Sequence, residues 1–241
     1  MSRVLVVGDT HCPGMRRGYV DFLCQIAETY QCNRCVHIGD LVDWHSISFH
    51  ERKLSLSNPE AEFGQAYKQV QELKDGLASV GLKTVDWLIG NHDCLTERQA
   101  CAVGLPSNVL RDYSDLWGVE RWRVHPRYTK LFIDGVIYSH GDSGRGGMDA
   151  ALTQAKDHFR STVLGHLHAQ AGVKWWANPE YRVFGMSVGC GIDAKKMQFE
   201  YGKRFNAKPI LGCGVVLNGQ RAFFEPWLLP SAKVASKRRA A

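Results

Sequence analysis

One pattern constrains the fold more than any other: five times, a short apolar run ends beside a glycine and an Asp, Asn or His. The runs with their terminal polar residues are 4–9, 36–40, 87–91, 136–140 and 162–166. Each run is short and β-prone, which predicts a buried strand. Glycine allows a sharp turn, and open α/β sheets bind ligands at the carboxyl ends of their strands. The pattern therefore predicts five donor-bearing strand ends that share one site, which favours an enzyme.

The composition is that of a globular α/β protein with a sizeable core. The chain has 241 residues, of which 44% are hydrophobic, and a net charge of +6. No apolar stretch approaches the roughly 18 residues of a membrane span, so no membrane partner is expected. A strand begins within three residues of the N-terminus, so no secretory signal is expected and the predicted location is the cytoplasm. The mild positive charge suits a phosphate-bearing substrate without demonstrating one.

Eight cysteines raise the question of disulfides or zinc. Without a secretory signal, free thiols are expected. Cys32 and Cys35 form the only metal-like spacing, but a structural zinc site normally needs a second ligand pair, and neither a second CxxC nor an HxxxH is present. This segment is therefore interpreted as a connector between a helix and a strand.

Strands and helices alternate in the first half of the chain, and the second half is rich in strands. Helices are predicted at 18–30, from about 59 to 80 and at 148–159, with a short piece near 97–102. Hairpins are predicted at Asp134-Gly135 and Asn218-Gly219. Residues 192–207 are ambiguous. We expect one domain, 1–230, followed by a basic tail, 231–241, that is disordered rather than bound to nucleic acid.

The strand-end motifs occur in a specific order. They are Gly8-Asp9-Thr10-His11, Gly39-Asp40-Leu41-Val42-Asp43, Gly90-Asn91-His92-Asp93, His140-Gly141-Asp142 and Gly165-His166-Leu167-His168. Any one of them is weak, but together they resemble the calcineurin-like metallophosphoesterase superfamily over residues 3–170, in the form of a small bacterial or phage-type member. The resemblance implies a four-layer α-β-β-α sandwich, with two mixed β-sheets flanked by helices and a dinuclear metal site at strand carboxyl ends.

The resemblance also implies a role for each motif residue. The first metal would bind Asp9, His11 and His168, the second would bind Asn91, His140 and His166, and Asp40 would bridge both. His92 would be the general acid that protonates the leaving group, oriented by Asp43. This mixture of oxygen and nitrogen donors suits manganese, iron, zinc, cobalt or nickel better than calcium and does not choose among the five. Manganese is the expected ion, with the other four as alternatives.

The implied reaction is hydrolysis of a phosphoester by attack of a metal-bridging hydroxide. Protein phosphatases of this superfamily carry Asp-Arg-Gly where this chain has Asp43-Trp44-His45, and Glu where it has Asp93, which disfavours a phosphoprotein substrate. The prediction is a phosphodiesterase that acts on a nucleotide or nucleic acid. The alternatives are a phosphomonoesterase and, from another class, a non-catalytic scaffold.

Two of three residues near the motifs, Trp44 and His45, keep two interpretations. The oligomeric state is not predicted. His37 lies inside a strand and is expected to be a packed core residue. Trp44 is either a core residue or a platform that stacks on a base. His45 either lines a substrate cleft or lies in a solvated loop.

Overall fold

Two β-sheets form the centre of the molecule, which the computed structural model describes over residues 1–49, 58–144, 147–193 and 208–228. The strands of these residues are β1 (Arg3–Val7), β2 (Arg34–His37), β3 (Val85–Leu88), β4 (Arg123–His125), β5 (Leu131–Ile133), β6 (Val136–Ser139), β7 (Thr162–Leu164), β8 (Ala171–Ala177), β9 (Arg182–Val188), β10 (Gly212–Leu217) and β11 (Arg221–Pro226). The helices are α1 (Tyr19–Thr29), α2 (Pro59–Ser79), α3 (Leu95–Ala102), α4 (Tyr113–Leu116) and α5 (Ala150–Asp157), with short 3-10 turns at His45–Ile47 and Ser107–Val109.

Both sheets are mixed. The first has the order β11-β10-β1-β2-β3-β4, and the second has the order β5-β6-β7-β9-β8. In the first sheet β1, β2, β3 and β4 are parallel, so the carboxyl ends of the strands that carry the first three motifs lie at one edge. In the second sheet β6 and β7 are parallel as well, which aligns the ends that carry the last two motifs.

Alternating residues of the same strands face two separate cores, because successive side chains of a strand point to opposite sides. In β1, Val4 and Val6 pack between the two sheets, against Phe184 and Met186 of β9. Leu5 and Val7 instead face the helical core that contains residues of α1 and α2. On the other side of the second sheet, Ala150 and Ala151 of α5 pack against Leu164 of β7. Two mixed sheets flanked by helices therefore form the four layers that the sequence predicted.

Local sequence signals set the ends of several elements. The side chain of Asn58 accepts a hydrogen bond from the Ala61 N–H at 3.0 Å and caps α2, which has Pro in its first turn. The hairpin turns Asp134-Gly135 and Asn218-Gly219 have all four φ angles positive, between 48° and 79°, as a tight two-residue turn requires.

Some of the remaining predictions on organisation can be compared with the described residues, and others cannot. The structure places all eight cysteines as free thiols, and Cys32 lies between α1 and β2, as a connector residue should. Among the helices of the described ranges, none is both long and apolar enough to cross a membrane. Most of the ambiguous segment 192–207 and the whole tail 231–241 lie outside the described residues.

Candidate metal centre

All seven side chains that the resemblance implies as metal ligands meet at the shared edge of the two sheets. Potential ligand atoms of Asp9, His11, Asp40 and His168 lie within 4.8 Å of one another, and so do those of Asp40, His140 and His166. The two groups share Asp40, as expected for a bridging carboxylate. The seventh residue, Asn91, directs its Oδ1 atom to within 3.0 Å of His140 Nε2.

In the first group, the ring nitrogens of two histidines from distant parts of the chain converge. His11 Nε2 lies 3.2 Å from His168 Nε2, and His168 Nε2 lies 2.9 Å from Asp9 Oδ2. The same carboxylate of Asp9 accepts the His166 N–H at 3.0 Å, which ties β1 to the loop after β7.

In the second group, His140 Nε2 lies 3.2 Å from Asp40 Oδ2. The other ring nitrogen, Nδ1, lies 3.1 Å from the carbonyl oxygen of Ile38. A carbonyl only accepts, so Nδ1 carries a proton, and Nε2 is the ring nitrogen that faces the centre of the site. His11 is arranged in the same way, because its Nδ1 donates to Asp43 Oδ1 at 2.9 Å. Such outer hydrogen bonds orient metal-binding imidazoles and set their tautomers.

The glycines beside the ligands are required for space as well as for turning. A Cβ atom on Gly90 would overlap the Asp40 carboxylate, and one on Gly39 would overlap the imidazole of His140. A Cβ on Gly165 would lie 2.6 Å from Asp9 Oδ1. Of these three, only Gly39 has a positive φ, 117°. At Gly90 and Gly165 the absent side chain itself is what allows a ligand of a neighbouring strand to approach.

Three of the predicted ligands have left-handed backbone conformations that non-glycine residues rarely adopt. His11, Asp40 and His166 have φ angles of 45°, 50° and 62°. Strained conformations of this kind cluster at functional sites, where the surrounding structure imposes them.

His92 lies beside the ligand cluster, held at two atoms. Its backbone N–H donates to Asp40 Oδ1 at 2.8 Å. Its ring Nδ1 lies 2.9 Å from the carbonyl oxygen of Asp43 and 3.1 Å from Asp43 Oδ1, so Nδ1–H donates to that residue. Burial lowers the pKa of His92, but the charge of Asp40 and the hydrogen bond to Asp43 outweigh it and raise the pKa to about 9. Asp43 therefore orients two imidazoles, those of His92 and His11.

The negative charges of the buried carboxylates in the cluster favour the binding of additional cations. Asp9, Asp40 and Asp43 are buried, and within the described residues their ion-pair partners are all histidines. Burial lowers the pKa of His140, yet the charge and hydrogen bond of Asp40 raise it to about 10, so without metal this imidazole is drawn into its protonated form. Divalent cations bound by these carboxylate oxygens and imidazole nitrogens would supply the same positive charge. The residues present fit two such ions.

One motif residue without a role predicted from the sequence, Asp93, completes the site. Asp93 is fully buried and accepts hydrogen bonds from the Val42 N–H at 3.1 Å, the Trp87 indole at 3.2 Å and the Gly90 N–H at 2.9 Å. Burial and the charge of Asp40 raise the pKa of Asp93 to about 7. The last position of Gly-Asn-His-Asp therefore joins the ends of β2 and β3, and its place in that motif was the signal for it.

The open questions about neighbouring aromatic residues are answered by packing. His37 is buried and its Nε2 lies 3.2 Å from the Thr10 hydroxyl, as a core histidine should. Trp44 is 8% exposed and packs against Phe63 and Trp117, so its ring is part of the core rather than a free stacking platform. His45 is also buried, 2% exposed, and not part of a solvated loop.

Of the comparisons with known proteins, the match to a family model agrees with this geometry. The model of the calcineurin-like phosphoesterase family matches residues 2–202, most of the chain. One similar solved structure is Yfce, a phosphoesterase from E. coli, with 12% identity and a TM-score of 0.41 over 90% of this chain and 88% of that chain. A TM-score at this level establishes neither a shared fold nor a shared activity. No curated protein matches the chain significantly.

The match covers all five motifs, and the structure brings their side chains together at one edge of the sheets. The predicted family and the enzyme class are thereby confirmed. The chain belongs to the calcineurin-like phosphoesterase family and is a metal-dependent phosphoester hydrolase.

Proposed function

We propose that the protein is a phosphodiesterase that hydrolyses nucleotide or nucleic-acid substrates with two manganese ions. The observation that carries the proposal is that Asp9, Asp40 and Asp43 form ion pairs with histidines only, within the described residues, and that His92 is held beside them on Asp43. A phosphodiester carries one negative charge and a phosphomonoester up to two near neutral pH. Sites for more highly charged phosphates use Arg or Lys. Among the described residues, the ion pairs of Asp9, Asp40 and Asp43 involve neither Arg nor Lys, which favours the diester.

In this proposal Asp9, His11 and His168 hold one ion, Asn91, His140 and His166 hold the other, and Asp40 binds both. When bound, the two ions lower the pKa of water and stabilise charge on the phosphoryl oxygens. The outer hydrogen bonds of His11 and His140 would orient these two imidazoles so that Nε2 is the atom available to an ion.

His92 acts on the leaving oxygen in this proposal. Its Nδ1–H is held by Asp43, so the proton that it gives to the departing alkoxide comes from Nε2. Asp43 fixes the orientation of the ring and stabilises its charged form. The contact of the His92 backbone N–H with Asp40 links the position of this acid to the bridging carboxylate.

The extent of the catalytic unit and its location belong to the same proposal. One domain of residues 1–230, in the cytoplasm, is expected to carry the whole site. All nine proposed site residues lie within the first 168 residues of the chain.

Hydrolysis of bis-p-nitrophenyl phosphate compared with p-nitrophenyl phosphate, in the presence of added manganese, tests the substrate class. We expect a higher kcat/KM for the diester. In a second assay, with DNA, RNA or a cyclic nucleotide as substrate, we expect hydrolysis products from at least one of them. A preference for the monoester would overturn the proposal in favour of a phosphomonoesterase. Repeating the assay with iron, zinc, cobalt and nickel tests the choice of manganese.

A further inference from the structure

A buried carboxylate outside the motifs holds the segment that orients the general acid. Glu62 lies in the first turn of α2 and is only 6% exposed. Its Oε1 accepts the His45 N–H at 2.6 Å, and its Oε2 accepts the Ser46 N–H at 2.8 Å and the Ser46 hydroxyl. Both oxygens of one side chain are therefore committed to the start of the 3-10 turn His45–Ile47.

This turn follows Asp43 almost directly, so its position determines where Asp43 lies. Asp43 supplies two acceptors for the Nδ1 atom of His92, its carbonyl oxygen and its Oδ1 atom. The first of these belongs to the backbone, and its placement depends on the path of the chain between residues 43 and 45. A shift of that backbone would move both acceptors away from His92 and Oδ1 away from His11.

The backbone between Asp43 and the turn needs such a restraint. Trp44 has φ 50° and ψ 39°, a left-handed conformation that is unfavourable for a bulky residue. Its ring packs against Phe63, which is the neighbour of Glu62 in α2. At the far end of the turn, the side-chain amide of Gln99 donates to the Ile47 carbonyl at 2.5 Å. The segment is thus held by α2 at its start and by α3 at its end.

We propose that Glu62 is a positioning residue for the general acid: by holding the backbone at His45 and Ser46, it keeps Asp43 in place against His92. The inference rests on the proposed role of His92 but not on the choice between diester and monoester. Glu62 touches neither substrate nor metal. Its loss is expected to reduce proton transfer to the leaving group more than it weakens the metal site, because Asp43 contacts only the outer ring nitrogen of one proposed ligand, His11, and that ligand itself stays in place.

Leaving-group dependence separates this role from a merely structural one. A p-nitrophenolate leaves without a proton, whereas the sugar alkoxide of a dinucleotide needs one. For Glu62→Gln we expect kcat on thymidylyl-thymidine to fall about tenfold to a hundredfold, a part of what a general acid contributes. On the p-nitrophenyl ester of thymidine 5′-phosphate we expect a change of no more than about threefold, since proton transfer contributes little there. KM and the manganese stoichiometry measured by calorimetry should stay unchanged.

Three companion variants complete the test. Glu60→Gln, on the same turn of α2 but exposed, is the matched control and should leave both rates unchanged. His92→Gln should show the same leaving-group pattern, and adding Glu62→Gln to it should cause little further loss, because the two residues act through one proton transfer. Ser46→Ala removes one contact of Glu62 and should give a smaller loss of the same kind, which serves as the test where Glu62→Gln does not fold.

Equal losses on both esters, or a loss of manganese, would overturn the inference. If the wild type prefers monoesters, the proposed diester function fails while this inference is still testable, because p-nitrophenyl phosphate and an alkyl phosphate form the same pair of good and poor leaving groups. A wild type and a His92→Gln variant of equal activity on the poor leaving group would remove the acid role, and with it the role of Glu62.

Discussion

Two groups of charges with buried carboxylates belong to the first sheet: Asp86 with its partners, within β3, and the carboxylates just beyond the ends of β1 and β2. The carboxylates of the two groups differ in their partners. Asp86 of β3 is bound by Arg123 at 2.8 Å, by His125 at 2.9 Å and by Arg34 at 3.3 Å. Asp9, Asp40 and Asp43, which lie beyond the ends of β1 and β2, form ion pairs with histidines only, within the residues that the structure describes. The carboxylates of both groups are almost fully buried.

The difference shows how the same buried charge serves structure in one place and metal binding in the other. Arginines are permanently charged, so the neutralisation of Asp86 is complete within the protein. Burial raises the pKa of Asp86, but Arg123 and His125 outweigh this effect and lower it. Imidazoles bind metals in their neutral form, so the strand-end carboxylates keep a charge that cations from solution can neutralise.

The largest expected effect follows from removal of the shared carboxylate. Asp40→Ala should lose at least one of two bound metal ions and lower kcat by about a thousandfold or more, since metal ions contribute several kcal/mol of transition-state stabilisation. Metal content by mass spectrometry and turnover of the diester measure this. Asp86→Asn is the matched control, and an Asp40→Ala protein that retains both ions would contradict the bridging role.

Removal of the acid should have a smaller effect on turnover and none on the metals. His92→Ala is expected to lower kcat on an alkoxide-leaving diester by roughly a hundredfold to ten thousandfold, the usual contribution of general acid catalysis. Manganese binding by calorimetry should stay at two ions, because His92 is not among the proposed ligands. Unchanged turnover on the alkoxide ester would exclude His92 as the acid.

The Asp86 group is expected to affect stability and not catalysis. Asp86→Ala should lower the free energy of unfolding by about 2–3 kcal/mol, less than for a fully buried pair, because the arginines that it leaves unpaired are partly exposed. Urea unfolding measures the loss, with Lys174→Ala, which breaks an exposed pair with Asp149, as a control that should cost less than about 1 kcal/mol. A lost metal ion in Asp86→Ala would mean that the two groups are coupled.

The smallest expected effect is the acid dependence of the Asp86 contribution. The pKa of Asp86 is lowered in the folded protein, so its stabilisation is fully present above the unfolded pKa, near 3.8. It is lost as the pH falls through the lower folded value. The difference in unfolding free energy between the wild type and Asp86→Asn should therefore be constant from pH 7 to 5 and shrink below about pH 4. A difference that shrinks already between pH 7 and 5 would contradict the assignment to Asp86.

Most of the candidate site could be predicted because each proposed ligand belongs to a short local motif. A strand followed by glycine and a donor is visible within six residues, and parallel strands bring such ends together. The strand that precedes Asp40 and the one that precedes Asn91 are examples. The hairpins at Asp134-Gly135 and Asn218-Gly219 were predictable for the same local reason, since only a few residue types adopt their turn angles.

The partners of Asp86 and Glu62 could not be predicted in this way. Arg34 lies 52 residues before Asp86, and Glu62 reaches back 16 residues to Ser46. No periodicity or turn signal relates residues at such separations. Trp44 likewise gave no indication of whether it faces a substrate or the core, and its contacts with Phe63 and Trp117 decide it.

The sequence by itself determined the alternation of strands and helices, the order of the donor-bearing strand ends and the family to which they belong, because those properties are written in short local patterns. Three features are visible only in the tertiary structure. They are the close approach of Asp40 that requires a glycine at position 90, the pairing of Asp86 with arginines, and the hydrogen bonds by which Glu62 holds the turn beside Asp43. These features depend on atoms that meet across strands and helices. Close approach and charge compensation exist only once the chain is packed.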